Sequence, residues 1–401
     1  MANLTKPLLM TCILLCSSIA GCIFEGDDEG SQQEVLAVFN YNPSSNIKVG
    51  MTVSFDASDS TPSDGSLTYR WNFDVEGSTD IDATGQSATW SFTEAKTYEV
   101  LLEVSNGITT SEQTREVTIA PESAEPPVAV ITQYADDEDC ENNDISEDRD
   151  ILVWICAREK SQSDREVTET ITIELDASDS TSGDETSQYI PTDGYAWDLN
   201  FREDNDNDGD FENDNDLVGQ TVQWTDVKPG DYEIGLTVTN DLGMTDHTTI
   251  KVHVSYAGYW NDFEIAGNTS GNAVELDFTA LVHYDKDDPA NTISRAQIEL
   301  EYPKEDGDCQ TVLGDNCRAE LNIYAYNEEG EEVQNTTSEE LESRDDGECG
   351  DEQDCVHLTV FGYTFSDSES TYGDGEWTMT IQNDRVNDFV VDQFVIRLYY
   401  T

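Results

Sequence analysis

An acidic stretch near the middle of the chain has the residue types and spacing of a calcium ligand set. Carboxylates stand at alternate positions, and a glycine follows the third of them. The candidate ligands are Asp204, Asp206, Asp208, Asp210, Asp214 and Asp216. Calcium takes about six to eight oxygen ligands. A bound cation would also relieve the repulsion between neighbouring carboxylates, so the stretch predicts a Ca²⁺ site.

This stretch resembles the first half of an EF-hand loop, in which alternate residues supply oxygens and a glycine makes the sharp turn. Asp204 would be its first position and Gly209 its sixth. The likeness is partial, because the twelfth position is Asn215 and no helical pattern flanks the loop. The alternative is an acidic loop that only keeps the surface soluble.

The cysteines fall into two groups. Cys12, Cys16 and Cys22 lie near the N-terminus, and six others form three local couples. These couples are Cys140 with Cys156, Cys309 with Cys317, and Cys349 with Cys355. An even number of cysteines outside the cytoplasm favours disulfides, and proximity along the chain suggests this pairing. Zinc is the alternative, but these spacings do not resemble zinc sites.

The N-terminal residues have the pattern of a targeting and anchoring segment. Residues 1–21 form a signal peptide, because the apolar run from Leu8 to Leu15 is too short to cross a bilayer. Ile19-Ala20-Gly21-Cys22 resembles the lipobox of prokaryotic lipoproteins, which implies lipidation of Cys22. Residues 22–34 would then be an acidic tether, and the protein would be held at the cell surface through a lipid in the membrane. An ordinary signal peptide is the alternative.

The net charge limits the partners. The chain has 401 residues, 36% hydrophobic content and a formal charge of −67. Such an excess of carboxylates argues against nucleic acid and anionic membrane surfaces as partners. It fits a salt-adapted surface, a cation-binding one, or simply a solvated acidic coat.

One pattern occurs twice and organises the chain. Asp56–Ser60 and Asp176–Ser180 share the sequence Asp-Ala-Ser-Asp-Ser, and a tryptophan strand follows each, at Trp71 and at Trp197. We expect each tryptophan to be buried as the large core anchor of its unit. Each copy closes with an alternating apolar strand, which predicts one buried face. The short oxygen side chains of the Asp-Ala-Ser-Asp-Ser runs predict tight turns. The chain therefore contains an internal repeat.

The repeated pattern resembles the PKD domain family, which are Ig-like β-sandwiches common on cell surfaces. The resemblance implies a spacer or binding module without catalysis. It predicts a first PKD-like sandwich over residues 35–120, a linker over 121–127, and a second PKD-like sandwich over 128–255 with acidic insertions. The alternation of Ile250, Val252 and Val254 places His253 on the solvent side, where we expect it to be inert.

Residues 256–401 are not a third copy, but they also predict strands. The predicted strands are Val274–Tyr284, Ala296–Tyr302, Leu321–Tyr326, Val356–Phe361, Trp377–Ile381 and Phe394–Tyr400. The last two resemble the end of the P domain, the jelly-roll that follows some subtilisin-like proteases. The fold class is therefore all-β: two tandem Ig-like (PKD-type) β-sandwiches followed by a third β-sandwich of jelly-roll type.

The sequence contains no catalytic motif that we recognise, so we do not expect an enzyme. The preferred hypothesis is a surface-anchored binding or adhesion lipoprotein, with the repeats as a stalk and the C-terminal domain as the head that binds a glycan or protein ligand. A structural cell-envelope protein and an accessory subunit of a secreted hydrolase are the alternatives. Exposed aromatic side chains in the head would favour binding, whereas junction packing would bury them. The aromatic residues in question are Tyr256, Tyr259, Trp260, Tyr399 and Tyr400.

Overall fold

The computed structural model describes most of the chain. Its described residues are 34–63, 66–132, 150–184, 186–199, 215–268, 271–282, 293–304, 318–339, 343–344, 349–365 and 375–400. The predicted signal peptide and nearly all of the tether therefore lie outside the described residues, as do several predicted site residues.

The regular secondary structure of the described chain consists almost wholly of strands, which confirms the predicted all-β class. In the first repeat the strands are β1 (Asn40–Asn42), β2 (Thr52–Asp56), β3 (Thr68–Asn72), β4 (Ala83–Thr84), β5 (Ser87–Ser91), β6 (Thr97–Ser105) and β7 (Thr110–Thr118). In the second they are β8 (Ile151–Lys160), β9 (Glu166–Val167), β10 (Ile171–Asp176), β11 (Tyr195–Asp198), β12 (Leu217–Val218), β13 (Thr221–Val227), β14 (Gly230–Thr239) and β15 (Thr245–Ile265).

The C-terminal region continues with strands and one short helix. The strands are β16 (Val274–Val282), β17 (Arg295–Pro303), β18 (Leu321–Tyr326), β19 (Glu332–Asn335), β20 (Gln353–Phe361), β21 (Gly375–Asn383) and β22 (Phe389–Tyr399). The helix α1 (Gly362–Phe365) directly follows β20. Each of the six strands predicted for this region coincides with an observed strand.

Contacts divide the described residues into two compact units. The first unit comprises the described parts of residues 1–40, 56–88 and 100–115. Trp71 is at its centre: it packs edge-on against Phe39 at 5.1 Å and stacks on Phe73 at 6.1 Å. The indole Nε1 of Trp71 donates a hydrogen bond to the Gly85 carbonyl at 2.8 Å. The predicted burial of this tryptophan is confirmed.

The second unit comprises the described parts of residues 41–55, 89–99 and 116–401. It includes the second repeat, in which Trp197 is fully buried. The indole Nε1 of Trp197 donates to the Gly219 carbonyl at 2.9 Å, as Trp71 does to Gly85. The first repeat has the sheet β4-β3-β6-β7, and the second has the matching order β12-β11-β14-β15. The internal repeat predicted from sequence is thus present at the level of strand order.

The predicted turns are also present in both copies. The amide of Ser58 donates to Asp56 Oδ1 at 3.0 Å, and the amide of Ser178 donates to Asp176 Oδ1 at 2.8 Å. The last serine of each run bonds the backbone at the start of its repeat: Ser60 bonds Val38, 22 residues earlier, and Ser180 bonds Val130, 50 residues earlier. Each run therefore fixes a turn and also fastens the start of its repeat.

Strand β15 joins the second repeat to the C-terminal region. Its first half pairs with β14, and its second half pairs with β22. Strand β8 runs parallel to the middle of β15, from Val252 to Trp260, along the opposite edge. The predicted boundary between Ser255 and Tyr256 therefore lies inside one continuous strand. The domain limits themselves stay a prediction that folding experiments can test.

The C-terminal region is a jelly-roll. Counted from the second half of β15 to β22, eight described strands are divided between two sheets. One sheet has the order first-eighth-third-sixth, and the other has the order second-seventh-fourth-fifth. This is the double Greek-key arrangement of a jelly-roll. Trp260, Phe278 and Phe394 pack between the sheets, with ring centroids 4.5–6.0 Å apart. The predicted fold is confirmed, and the likeness to the P-domain family stays a prediction.

Residues 151–167 add a strand beside each jelly-roll sheet. Strand β8 pairs with β15, the first jelly-roll strand, and β9 pairs in parallel with β16, the second. Ile151, Val153 and Ile155 of β8 and Val167 of β9 belong to the same apolar core as the jelly-roll strands. We call residues 151–167 the β8–β9 arm.

Candidate functional site

The face of the large sheet that points away from the jelly-roll core carries a second, smaller apolar cluster. Trp154, Tyr259 and Tyr399 lie in it, with Ala257 and Val395 between them. The cluster forms because side chains alternate along β15: Tyr256 and Trp260 enter the core, whereas Ala257 and Tyr259 point to the other side. We call this surface, over strands β8, β15, β22, β17 and β20, the outer face.

Arginines cover the aromatic rings of the outer face. The guanidinium of Arg295 lies 4.0 Å from the ring centroid of Tyr399. Those of Arg158 and Arg397 lie 5.0 and 5.8 Å from the ring of Tyr259. These distances are those of cation–π contacts. The whole chain has 19 Lys and Arg residues against 86 Asp and Glu residues, so three arginines on one sheet face are a local concentration of its few positive charges.

Aromatic side chains are exposed at the edge of the outer face. Phe361 is the register partner of Arg295 and is 49% exposed. Tyr363, in α1, is 73% exposed and stacks on Phe361 with centroids 5.8 Å apart and ring planes inclined by 12°. Gln297 and Thr359 lie in the next row of the same two strands and are half-buried. The accessible part of the face therefore combines flat rings, a guanidinium and neutral polar groups.

An ion-pair network borders these groups. Arg397 lies 2.6 Å from Glu299, and His357 Nδ1 lies 3.5 Å from the same carboxylate. Burial would raise the pKa of Glu299, but the hydrogen bond from His357 and the charge of Arg397 outweigh it and lower the pKa. Glu299 therefore stays ionised and neutralises Arg397, which leaves Arg295 and Arg158 as the arginines available to a ligand.

The aromatic residues named from the sequence are buried. Tyr256, Trp260 and Tyr400 lie in the main core, and Tyr259 and Tyr399 lie under the arginines of the outer face. Exposure and junction packing were the two alternatives for these five positions, and the structure shows packing. Sequence reasoning missed Trp154, Arg158, Arg295, Phe361, Tyr363 and Arg397. Arg158, Arg295 and Arg397 could have been identified from the sequence, because arginines in the strands of so acidic a chain are unusual.

The structure tests only part of the predicted cysteine chemistry. Cys349 and Cys355 form a disulfide, which confirms that pairing. Cys156 is also disulfide-bonded. Cys22, Cys140, Cys309 and Cys317 lie outside the described residues. The pairing of Cys156 with Cys140 and that of Cys309 with Cys317 stay predictions.

Of the proposed calcium ligands, only Asp216 is described, and it has a backbone role. Its Oδ2 accepts the Leu199 amide at 2.8 Å, and its own amide donates to the Trp197 carbonyl at 2.9 Å. Asp82 makes the same two bonds in the first repeat, to Phe73 and Trp71, both at 2.8 Å. In both repeats this aspartate closes the loop that follows the tryptophan strand.

The remaining candidate ligands, Asp204 to Asp214, lie outside the described residues. Among the residues that the structure does describe, no three His, Cys, Asp or Glu side chains are grouped closely enough to hold a metal ion. The calcium site therefore stays a prediction.

The geometry of the first repeat agrees with a comparison to known families. Residues 37–120 match the PKD domain. The second PKD-like repeat is supported here by its strand order, its tryptophan and its loop-closing aspartate. No curated protein matches the sequence.

Solved structures similar to the chain are β-sandwich proteins. Carbohydrate-binding modules of the β-sandwich superfamily are 12% identical, with 92% of this chain and 97% of theirs covered and a TM-score of 0.21. Three N-terminal domains of the bacteriophage RB49 outer capsid protein Hoc are 12% identical, with 90% and 98% covered and a TM-score of 0.22. Fibronectin(III)-like modules of Clostridium thermocellum CbhA are 10% identical, with 55% and 95% covered and a TM-score of 0.23. At identities and TM-scores this low, these structures indicate nothing about a ligand of this chain.

His253, in the PKD-like repeat, is buried rather than exposed. It is 7% exposed, its Nδ1 lies 3.1 Å from Asp231 and its Nε2 lies 3.4 Å from Asp150. The expectation that it faces solvent was wrong, because β8 lies beside β15 and brings Asp150 over the outward side of the strand. Burial alone would lower the pKa of His253, but the two carboxylates outweigh it and raise the pKa.

This arrangement predicts a stability that depends on pH. A histidine whose pKa is raised by folding stabilises the fold below its unfolded-state pKa of about 6.5 and loses that effect as the pH rises through the folded-state pKa. We expect His253→Gln to lower the free energy of unfolding by about 1.5–3 kcal/mol at pH 5.5, with a smaller difference at pH 9. Denaturant unfolding of both proteins across this range measures it. His247→Gln, at an exposed histidine of the same strand, is the control. A difference that grows with pH would contradict the prediction.

Proposed function

We propose that this protein is a multidomain binding or adhesion protein without catalytic activity. The PKD domain and its repeat serve as a stalk, and the jelly-roll with the β8–β9 arm carries the ligand-binding surface. The observation that supports this most is the outer face, where exposed aromatic rings adjoin a guanidinium held on a tyrosine. Large exposed aromatic side chains and arginine are the residue types enriched in binding surfaces.

A purely structural role predicts a different head. A domain that only fills space in an envelope needs a solvated surface, and the acidic remainder of this chain would supply it. Exposing Phe361 and Tyr363 beside Arg295 is not needed for such a role. This contrast is why we prefer binding to structure, with a glycan or a protein as the ligand.

The test is an array of glycans and peptides probed with the chain lacking residues 1–22. We expect the protein to bind a defined set of the arrayed ligands. The double variant Phe361→Ala, Tyr363→Ala should lose that binding. Tyr189→Ala removes an equally exposed tyrosine from the second repeat and serves as the control. Silence across the array, or retention unchanged by the double variant, would refute binding at the outer face.

We also propose that the protein is held at the cell surface by a lipid on Cys22. PKD domains are typical of extracellular proteins, and the lipobox-like sequence supports the anchor. Among the described residues, no helix has both the length and the hydrophobicity to cross a bilayer. Two acyl chains give stable anchoring where a single one does not. Cys22→Ser should therefore move the protein from the membrane fraction to the soluble fraction, and retention in the membrane would exclude lipid anchoring.

Calcium binding by the acidic loop after Leu199 is a further part of the proposal. Asp216 Oδ2 accepts the Leu199 amide, and the other oxygen of this carboxylate can still bind calcium. The other ligands would come from Asp204, Asp206, Asp208, Asp210 and Asp214. A ligand that binds only the folded state raises its stability. Calcium at about millimolar concentration, the range of extracellular modules, should therefore raise the melting temperature of the second repeat. The same rise after Asp206 and Asp208 are changed to alanine would exclude this loop.

A further inference from the structure

We propose that the ligand of the outer face is an acidic glycan, a sugar chain bearing carboxylate or sulfate groups. This inference rests on the proposed binding function and names its ligand class. It draws on three features of the accessible part of the face: the state of its arginines, the form of its aromatic surface, and the polar groups between them.

The first feature is the state of Arg295 and Arg158. Neither forms an ion pair with any residue that the structure describes, although acidic residues outnumber basic ones more than fourfold in the sequence. Both instead lie on tyrosine rings, Arg295 on Tyr399 and Arg158 on Tyr259. A cation–π contact fixes the guanidinium plane without using its N–H donors. Such a group is preorganised for bidentate binding of a carboxylate or sulfate.

The second feature is the aromatic surface beside Arg295. Phe361 and Tyr363 stack nearly parallel and remain about half and three-quarters exposed. They lie at the end of an open sheet face and not in a deep pocket. A flat, open aromatic surface fits the apolar face of a sugar ring, which also presents its hydroxyls sideways to neighbouring groups.

The third feature is the row next to Arg295 and Phe361. Gln297 and Thr359 are register partners on β17 and β20, and both keep part of their side chains accessible. Gln297 Nε2 already donates to Glu299 Oε1 at 2.9 Å, and Gln297 Oε1 accepts from the Tyr399 hydroxyl at 3.4 Å. The second N–H of the Gln297 amide and the Thr359 hydroxyl are the groups that can bond sugar hydroxyls. An acidic peptide would satisfy the arginines but has less use for these neutral groups, so we favour the glycan.

The net charge of −67 does not prevent such binding. At about 0.15 M salt the Debye length is about 8 Å, so carboxylates farther away are largely screened. Contacts made directly at the outer face are screened much less. Glu299, a carboxylate of the outer face, is already paired with Arg397 and His357. Local attraction by Arg295 can therefore exceed the repulsion from the rest of the chain.

The test is calorimetric titration of the chain lacking residues 1–22, at about 0.15 M salt. The probes are an oligogalacturonate, its neutral methyl ester, a sulfated oligosaccharide, a neutral cello-oligosaccharide and a polyglutamate peptide. We expect the oligogalacturonate or the sulfated sugar to bind, and to bind at least about tenfold more tightly than the neutral sugars. The two acidic probes distinguish carboxylate from sulfate recognition.

Variants assign the effect to the face. Arg295→Gln should lower the affinity for the acidic sugar about tenfold and leave the affinity for neutral sugars unchanged. Arg295→Lys should lower the affinity for the acidic sugar by an intermediate amount. Arg70→Gln, at an exposed arginine of the first repeat, is the control. Equal binding of the neutral and acidic sugars would overturn this inference and leave the proposed function standing, as would binding of polyglutamate alone. Failure of every probe here and on the array would overturn both.

Discussion

Replacing Trp197 with alanine is expected to lower the free energy of unfolding of the second repeat by about 3–5 kcal/mol. Trp197 is fully buried, and removal of its indole N–H would leave the Gly219 carbonyl without its hydrogen-bond donor. The loss is a large share of the roughly 5–15 kcal/mol that stabilises a typical domain. We expect Trp71→Ala to have an effect of the same size in the PKD domain, because its burial and its bond to Gly85 are equivalent.

Differential scanning calorimetry of the full chain, with denaturant unfolding, measures this prediction. Trp224→Ala is the matched control, since this tryptophan is only partly buried and packs edge-on against Tyr232 at 5.1 Å. Trp224→Ala should lower the free energy of unfolding clearly less than Trp197→Ala does. A loss below about 1 kcal/mol at Trp71 or Trp197 would mean that the tryptophan is not the core anchor of its repeat.

A fragment of residues 256–401 is expected not to fold, whereas a fragment of residues 128–401 should fold. The shorter fragment lacks the β8–β9 arm and the first half of β15. It would lose four buried side chains of the arm from the core, namely Ile151, Val153, Ile155 and Val167. At about 1.5–3 kcal/mol for each, this loss of about 6–12 kcal/mol is comparable to the whole stability of a domain. The fragment would also expose the unpaired edge of β15.

Circular dichroism and amide-proton dispersion in NMR spectra of the two fragments measure this difference. A point variant tests the same idea in the full chain. Val167→Asp places a charge in the core beside β16 and should lower the melting temperature of the jelly-roll, whereas Val218→Asp, at a 54% exposed site, should not. A cooperative melt of residues 256–401 alone would show that the arm is dispensable.

The sequence by itself determined the strand faces, the turns and the core tryptophans, which depend on neighbouring residues. The alternation in β6 and β14 predicted their buried faces, because side chains of a strand point to opposite sides in turn. The runs at Asp56 and Asp176 predicted turns, because short acidic and hydroxyl side chains bond nearby amides. The tryptophans predicted the core of each repeat, and alternation with β-branched or aromatic residues predicted the strands of the C-terminal region.

Only the tertiary structure decided which strands lie side by side. Alternation places His253 opposite the core residues of β15, but whether that side meets solvent depends on β8, about 100 residues earlier in the sequence. The outer face likewise combines strands from Ile151 to Tyr399. No local sequence pattern predicts which distant strands pair, because strand pairing is set by the energy of the whole sheet and by register. For the same reason the sequence predicts Asp216 only as a calcium ligand, and the backbone role in which its carboxylate accepts the Leu199 amide is visible only in the fold.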